Sequence, residues 1–348
     1  MKKPTVDSAN KSFVYMLESF VDQHRLPLLV ATALLLLGLP FFGVSRYIMR
    51  IIIMIGIYSI LGIGLNIMVG HIGEISLGHA GFYAIGAYTS ALLGLHYGFN
   101  FFVIAVAAII ITFICGVLLG IPTLRLKGPY FTVTTMGFGE IIMIIAMNWV
   151  SLTNGTMGLR NIPPPRIFGL QLTLANNGLY YLMLVLVALV SLVYVLMMNS
   201  KYGRAFKAIG EDDVAATMMG INTAYYNILA LGISAAITGL AGAFYAPMIS
   251  YIDPYSFVHD VSVLIVSIVI LGGMGTLRGM FFGAAVLVAF PEAFRFLMEY
   301  RFVMYGLVLI IMMRFRPQGV LGWKSELPYR FPKLARAQLT GESELKVK

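Results

Sequence analysis

The sequence predicts an all-α integral membrane protein, a polytopic bundle of about ten transmembrane helices. Three observations lead there. Hydrophobic residues make up 59% of the 348 and charged residues only 11%, a balance that a water-soluble chain of this length does not sustain. Apolar runs recur along the whole chain, several of them about 20 residues long, enough to cross a hydrocarbon layer of roughly 30 Å as helix. The runs also lack the apolar/polar alternation of an outer-membrane barrel strand.

The runs begin near residues 28, 47, 77, 101, 129, 178, 228, 260, 280 and 302, separated by Gly, Pro, Asn or charge clusters. They divide the chain into an N-terminal segment (1–26), a membrane domain (27–316) and a polar tail (317–348). In FVYMLESFVDQHR (13–25), Phe13, Leu17, Phe20 and Val21 share one helical face, so this segment is expected to lie as a helix in the membrane interface. No removable signal peptide is expected, because no small-residue cleavage site follows the first run. With residue 1 on the cytoplasmic side, only Arg46, Arg50, Arg160, Arg166, Arg295 and Arg301 of the 24 basic residues fall outside. That bias fits the positive-inside rule, an even number of crossings and cytoplasmic termini. The charge of +9 therefore addresses the lipid surface, and no nucleic-acid partner is expected.

Two longer polar segments interrupt the array. Residues 151–177 fall outside, and Gly155, Gly158 and Pro163, Pro164 and Pro165 predict a stiff, ordered loop. Residues 199–227 fall inside and contain GEDDVAATMMGINT (210–223). Glu211, Asp212 and Asp213 suit a helix N-terminus and Gly220 its stop, while Ala215 and Ala216 leave a low face that another protein can cover. Glycine spacing at Gly116 and Gly120, and at Gly275, Gly279 and Gly283, predicts close helix approach. The denser stretch 61–88 is able to bend, break or line a cavity, or simply to pack tightly.

Chemistry is sparse. There is no GxxxxGK[ST] loop, HExxH, CxxC pair or GxSxG, so no enzyme activity, metal site or cofactor is expected of the chain itself. The run GGMGTLRG (272–279) reads as packing and a turn, and Cys115 as a small core residue. Ionisable and amide groups inside the membrane are the candidates for a path. Glu140, in mid-run beyond Thr132, Thr134 and Thr135, either lines a polar path or is a carboxyl held by protonation or hydrogen bonds between helices. Asn66 bonds between helices or faces a pore, and His79 lies deeper than His71 and Glu74, which interface residence explains. Asp260, Glu292, Arg295 and Glu299 fall near the outer boundary, where snorkelling suffices.

Taken together in order, SLGHAGFYAIGAYTSALL (76–93), LKGPYFTVTTMGFGEI (126–141), SKYGRAFKAIGEDDVAATMMGINT (200–223), ILGGMGTLRGMFFGAAVL (270–287) and RFRPQGVLG (314–322) resemble the LivM-type permeases of branched-chain amino acid ABC transporters, over roughly residues 50 to 322. The resemblance implies a permease domain in a bacterial inner membrane. It implies as partners a second, LivH-like permease, two cytoplasmic ABC ATPases that bind the ATP, and an extracytoplasmic solute-binding protein. It makes 199–227 the loop that touches the ATPases, with Glu211, Asp212, Asp213, Ala215, Ala216 and Gly220 as coupling residues. Val214 stands where the general importer pattern has Glu, and that pattern's Leu-Pro ending is missing. The expected cargo is leucine, isoleucine or valine. A urea or amide permease of the same build is the alternative. A self-sufficient ion-coupled carrier, using Glu140 and His79, is the alternative from another class.

Overall fold

The computed structural model describes residues 37–43, 45–167 and 169–293, together with 306, 310 and 319–321. The apolar runs near residues 28 and 302, the interfacial helix expected at 13–25, Arg295, Glu299 and nearly all of the tail lie outside the described residues.

Helix α1 (Arg46–Ile67) starts at Ser45, whose Oγ accepts from the Ile48 amide at 3.4 Å, and runs on into a π-helical turn, Met68–Ile72. Residues 73–78 have no regular secondary structure, and the chain restarts as α2 (His79–Tyr97), α3 (Phe101–Thr123) and α4 (Pro129–Asn148). After the long connection that follows α4 come α5 (Gly178–Asn199), the short helices α6 (Lys201–Glu211) and α7 (Asp213–Met218), α8 (Thr223–Ile249), α9 (His259–Gly272) and α10 (Leu277–Ala293). The glycine-dense stretch is thus a real interruption, as its composition allows.

Among the described residues six helices are long and apolar enough to cross a membrane: Arg46–Ile72, Phe101–Thr123, Pro129–Asn148, Gly178–Asn199, Thr223–Ile249 and Pro254–Gly272. The apolar runs expected near residues 77 and 280 are helical but differ from these six. The first, α2, carries three glycines, three tyrosines and two histidines and is buried against its neighbours, and the second is short, Leu277–Phe290.

Helix α8 is the axis of the bundle, packed against α3, α2 and α1. Lipid tails are as apolar as leucine, so the association depends on close packing. Small residues supply it. A Cβ on Gly86 would stand 2.1 Å from the Gly239 carbonyl oxygen, and one on Gly242 would stand 2.2 Å from that of Tyr83. Gly116 meets Ala235 and Gly232 in the same way, and Gly279 and Gly283 pack on the carbonyls of Gly272 and Ile268. Cys115 is half-buried beside the core.

The connections sort into two ends. At one, the Glu74 carboxylate accepts from Gly128 N, Lys127 pairs with Asp213, and Asn66 accepts from Gly275 N. There too Val320 and Leu321 donate to the carbonyls of Leu271 and Gly272 at 2.9 and 3.0 Å, occupying the open end of α9. At the other, β1 (Leu159–Arg160) pairs antiparallel with β4 (Tyr251–Ile252), β2 (Arg166–Ile167) with β3 (Leu170–Gln171), and Tyr47 donates to Glu292. The order predicted for 151–177 is therefore found. Asp260 is exposed in the first turn of α9.

Candidate functional site

The loop 199–227 folds as a sequence of caps. The Ser200 hydroxyl accepts from Tyr202 N at 3.2 Å and starts α6, whose Gly203, Ala205, Phe206 and Ile209 turn inward. Asp212 then leaves the helical conformation. Its Oδ1 accepts from Val214 N at 2.9 Å and Ala215 N at 3.0 Å, so one residue ends α6 by its extended backbone and begins α7 by its side chain. Gly220, at φ +85°, stops α7: its N–H bonds Thr217 O and that of Ile221 bonds Ala216 O, both at 3.0 Å. The glycine stop expected from the sequence is in place, and of the three acids expected at the helix start Asp212 and Asp213 stand there, while Glu211 instead closes the preceding helix α6.

The covering face needs correction. Successive helical residues are about 100° apart, and only Ala215 is exposed, while Ala216 is 4% exposed and turned into this chain's own core. The outward surface of α7 is instead apolar and large, with Val214, Met218 (82% exposed) and Met219 (83%) around Ala215. Glu211 is exposed at the end of α6.

Asp213 ties α7 to the α3–α4 connection through Lys127. The hydrogen bond from Lys127 holds the Asp213 carboxyl below the usual carboxylate range, and the same bond raises Lys127. Glu74 reaches the same corner, its Oε2 accepting from Gly128 N at 2.9 Å; burial pushes its carboxyl up, against the pull of that bond and of Lys127. Glu74, Lys127, Asp213, Met68 and Phe131 line a cleft of about 350 Å³ here. Deeper in, a Cβ on Gly210 would stand 2.1 Å from the His71 carbonyl oxygen, so α6 lies directly on the π-helical turn.

The three candidates for a path sit apart. Asn66 is fully buried, its Nδ2 donating to Tyr194 Oη at 2.8 Å and its Oδ1 accepting from Gly275 N at 2.8 Å. The same hydroxyl meets His71 Nε2 at 2.7 Å, so His71, expected at the interface, is a buried member of this network. His79 is also fully buried. Its Nε2 lies 2.7 Å from Ser234 Oγ, which itself donates to Gly64 O at 2.6 Å, so Nε2 is the donor to the serine and Nδ1 is left without a partner among the described residues. Glu140 is half-exposed on α4 and has no hydrogen-bond or ion-pair partner among the described residues. Among the described residues no group of three or more His, Cys, Asp and Glu is placed to hold a metal ion.

Sequence reasoning missed Tyr194, Ser234 and Lys127, and gave Thr132 and Thr135 a different setting. Rather than leading to Glu140, these threonines hold the interrupted segment: Leu77 N donates to Thr135 Oγ1 at 3.1 Å, and Thr132 Oγ1 to Ile75 O at 2.8 Å. Helix α2 therefore begins beside the second turn of α4, inside the bundle, with Ala80 N donating to Ser262 Oγ at 2.9 Å.

Comparison with known proteins identifies the family. The family model for the branched-chain amino acid transport system / permease component matches residues 47–313. The chain is 37% identical over 315 residues to the high-affinity branched-chain amino acid transport system permease protein LivM of Salmonella typhimurium, covering 84% of this chain and 74% of that one. It is 26% identical to the fructose import permease protein FrcC of Rhizobium meliloti (88% and 89% covered), and 27% identical to the permease protein LivH of Salmonella typhimurium (76% and 91%). No solved structure matches the chain. With the family model spanning the whole bundle from α1 onward and the capped loop at one end of it, the chain belongs to the family of branched-chain amino acid transport permease components.

Proposed function

We infer that this chain is the transmembrane permease subunit of an ATP-binding-cassette importer that carries leucine, isoleucine and valine inward. The observation that carries the reading is the 37% identity, over 84% of the chain, to a permease named for branched-chain amino acid transport. The capped helix α7, which presents Val214, Met218 and Met219 on its exposed face, supports it as a surface made for a protein partner.

In this reading two cytoplasmic ATPases bind and hydrolyse ATP, and the chain transmits their motion without catalysing a reaction. A second, LivH-like permease and an extracytoplasmic binding protein complete the transporter. Selectivity resides largely in the binding protein, which suits the sparse polar chemistry of the bundle. The end with α6 and α7 faces the cytoplasm, together with both termini. The helices cross ten times when the apolar runs near residues 28 and 302 are counted. Asn66, His79 and Glu140 are the candidates for contact with the solute's route.

Reconstitution of the chain with its partner subunits in proteoliposomes tests the proposal. ATP-dependent uptake of leucine, with little of urea or fructose, is the expected result. Uptake by this chain alone, driven by an ion gradient, would overturn it.

A further inference from the structure

Three spans expose a long face, and two of them are alike. On α3 the outward residues include Phe102, Val106, Ile110, Ile114 and Leu118, and on α5 Val185, Leu189, Leu192 and Leu196. Such faces suit hydrocarbon. Helix α4 is the least buried of the six spans, and its outward face is of another kind. Val133, Gly137, Glu140, Ile141 and Ile144 share it, at the three- and four-residue spacing of one helical side.

Two features of that face conflict with lipid. Glu140 is the twelfth of the twenty residues of α4, so it lies near the middle of the span, half-exposed and without a partner among the described residues. A carboxyl there is costly against hydrocarbon and is expected to meet protein or a water-filled space. One turn earlier, Gly137 is exposed, with nothing within 4 Å of the position a Cβ would take. An open glycine in a membrane helix admits the backbone of another helix.

The geometry points to the Val133–Ile144 face of α4 as the surface on which the second permease subunit docks within the membrane, a hydrogen-bond donor on that subunit's helix meeting the Glu140 carboxyl. The occupant must offer an apolar helix with a polar donor at mid-depth. A related permease is the membrane partner to expect there, since this chain is similar in sequence to relatives bearing two different permease names, LivM and LivH. The inference rests on the importer reading and adds to it where the two membrane subunits meet. The seam so placed runs beside the interrupted segment 73–78, which Thr132 and Thr135 hold on the same helix.

The test uses the full transporter, with Cys115→Ser as background and single cysteines at Val133, Ile141 or Ile144, against Leu118→Cys on α3 and Leu189→Cys on α5. A short bis-maleimide should link the α4 positions to the LivH-like permease expressed with the chain, and leave Leu118→Cys and Leu189→Cys unlinked. Recovery of that permease on purification should fall roughly fivefold with Glu140→Leu and stay within about twofold with Glu140→Gln, which keeps an acceptor. Links to a second copy of this chain, links through α3 or α5 instead, or α4 cysteines that react only with a bilayer-soluble maleimide would each overturn the inference. A complex that contains the second permease and transports leucine, yet gives one of those outcomes, leaves the importer reading standing. Failure of any second permease to co-purify would overturn both.

Discussion

Gly210 of α6 rests directly on the carbonyl of His71, the backbone of one helix on the π-helical end of another. A methyl group at Gly210 would stand 2.1 Å from that oxygen, so the two elements cannot keep their contact once it is added. Gly210→Ala is expected to lift α6 from the turn and to lower the stability of the purified chain by about 1–3 kcal/mol, as overpacking of a tight contact does. Thermal unfolding in detergent checks the stability. ATP-driven uptake should fall more than the amount of inserted protein, and equal falls in both would mean that the contact is merely structural.

The outward surface of α7 gives the second prediction. Met218→Arg or Ala215→Arg places a charge on a face that we propose to be covered by an ATPase, with an expected loss of about 2–4 kcal/mol in that association. Uptake should be abolished and ATPase recovery reduced, with the permease still in the membrane. Ala216→Arg should behave differently, because Ala216 is buried in this chain, and proteolysis of the 199–227 loop should expose its misfolding. Retention of the ATPases by the Met218 variant would return α7 to the role of a solvated loop.

A third prediction concerns pH and the corner formed by Glu74, Lys127 and Asp213. The Asp213 carboxyl is lowered by its bond to Lys127, so its contribution is present above the ordinary carboxylate value and lost as pH falls through the lowered one. Glu74 has the opposite sign. Its raised carboxyl opposes folding at pH above the raised value, and that opposition disappears below the ordinary one. Glu74→Gln should therefore be more thermostable than the parent at neutral pH and equal to it in acid. Asp213→Asn should be the less stable near neutrality, by no more than about 1 kcal/mol because the pair is exposed. Melting curves of both variants across pH, at low and high salt, decide the matter.

Sidedness supplies a fourth. Asn161 lies between β1 and the proline run at one end of the bundle, and Lys201 opens α6 at the other, both exposed. Cysteines at these positions should react with an impermeant maleimide from opposite faces of the membrane, Asn161→Cys from outside. Reaction of both from one face would contradict the proposed crossings.

Much of this arrangement was legible in the residues, for reasons that differ between elements. Gly220 declares a helix stop because few side chains tolerate its positive φ, and Asp212 is a preferred cap whatever surrounds it. Long aliphatic runs betray the spans by composition alone. The inward turn of Ala216 was not legible, since a six-residue helix has no periodicity long enough to set its phase and its orientation comes from packing. The burial of His71 was not legible either, because a π-helical turn leaves no signature in the residues that form it. Tyr194 and Ser234 each sit in an apolar run, 128 and 155 residues from Asn66 and His79, and local pattern cannot show such a pairing.

The glycine contacts of α8 restrict how the protein can move. Where Gly86 meets Gly239, and Gly242 meets Tyr83, backbone touches backbone with no side chain between to change rotamer. A slide by one residue would bring a larger neighbour such as Ile85 or Leu240 into a slot sized for hydrogen. Helices α2, α3 and α8 thus form a keyed block that shifts as a whole, and the compliant joints of any transport cycle must lie elsewhere. The irregular segment 73–78, held through Glu74, Thr132 and Thr135, and the α6–α7 corner, held through Asp212 and the Lys127–Asp213 pair, are fastened by side-chain bonds instead of backbone packing, and there the molecule can flex.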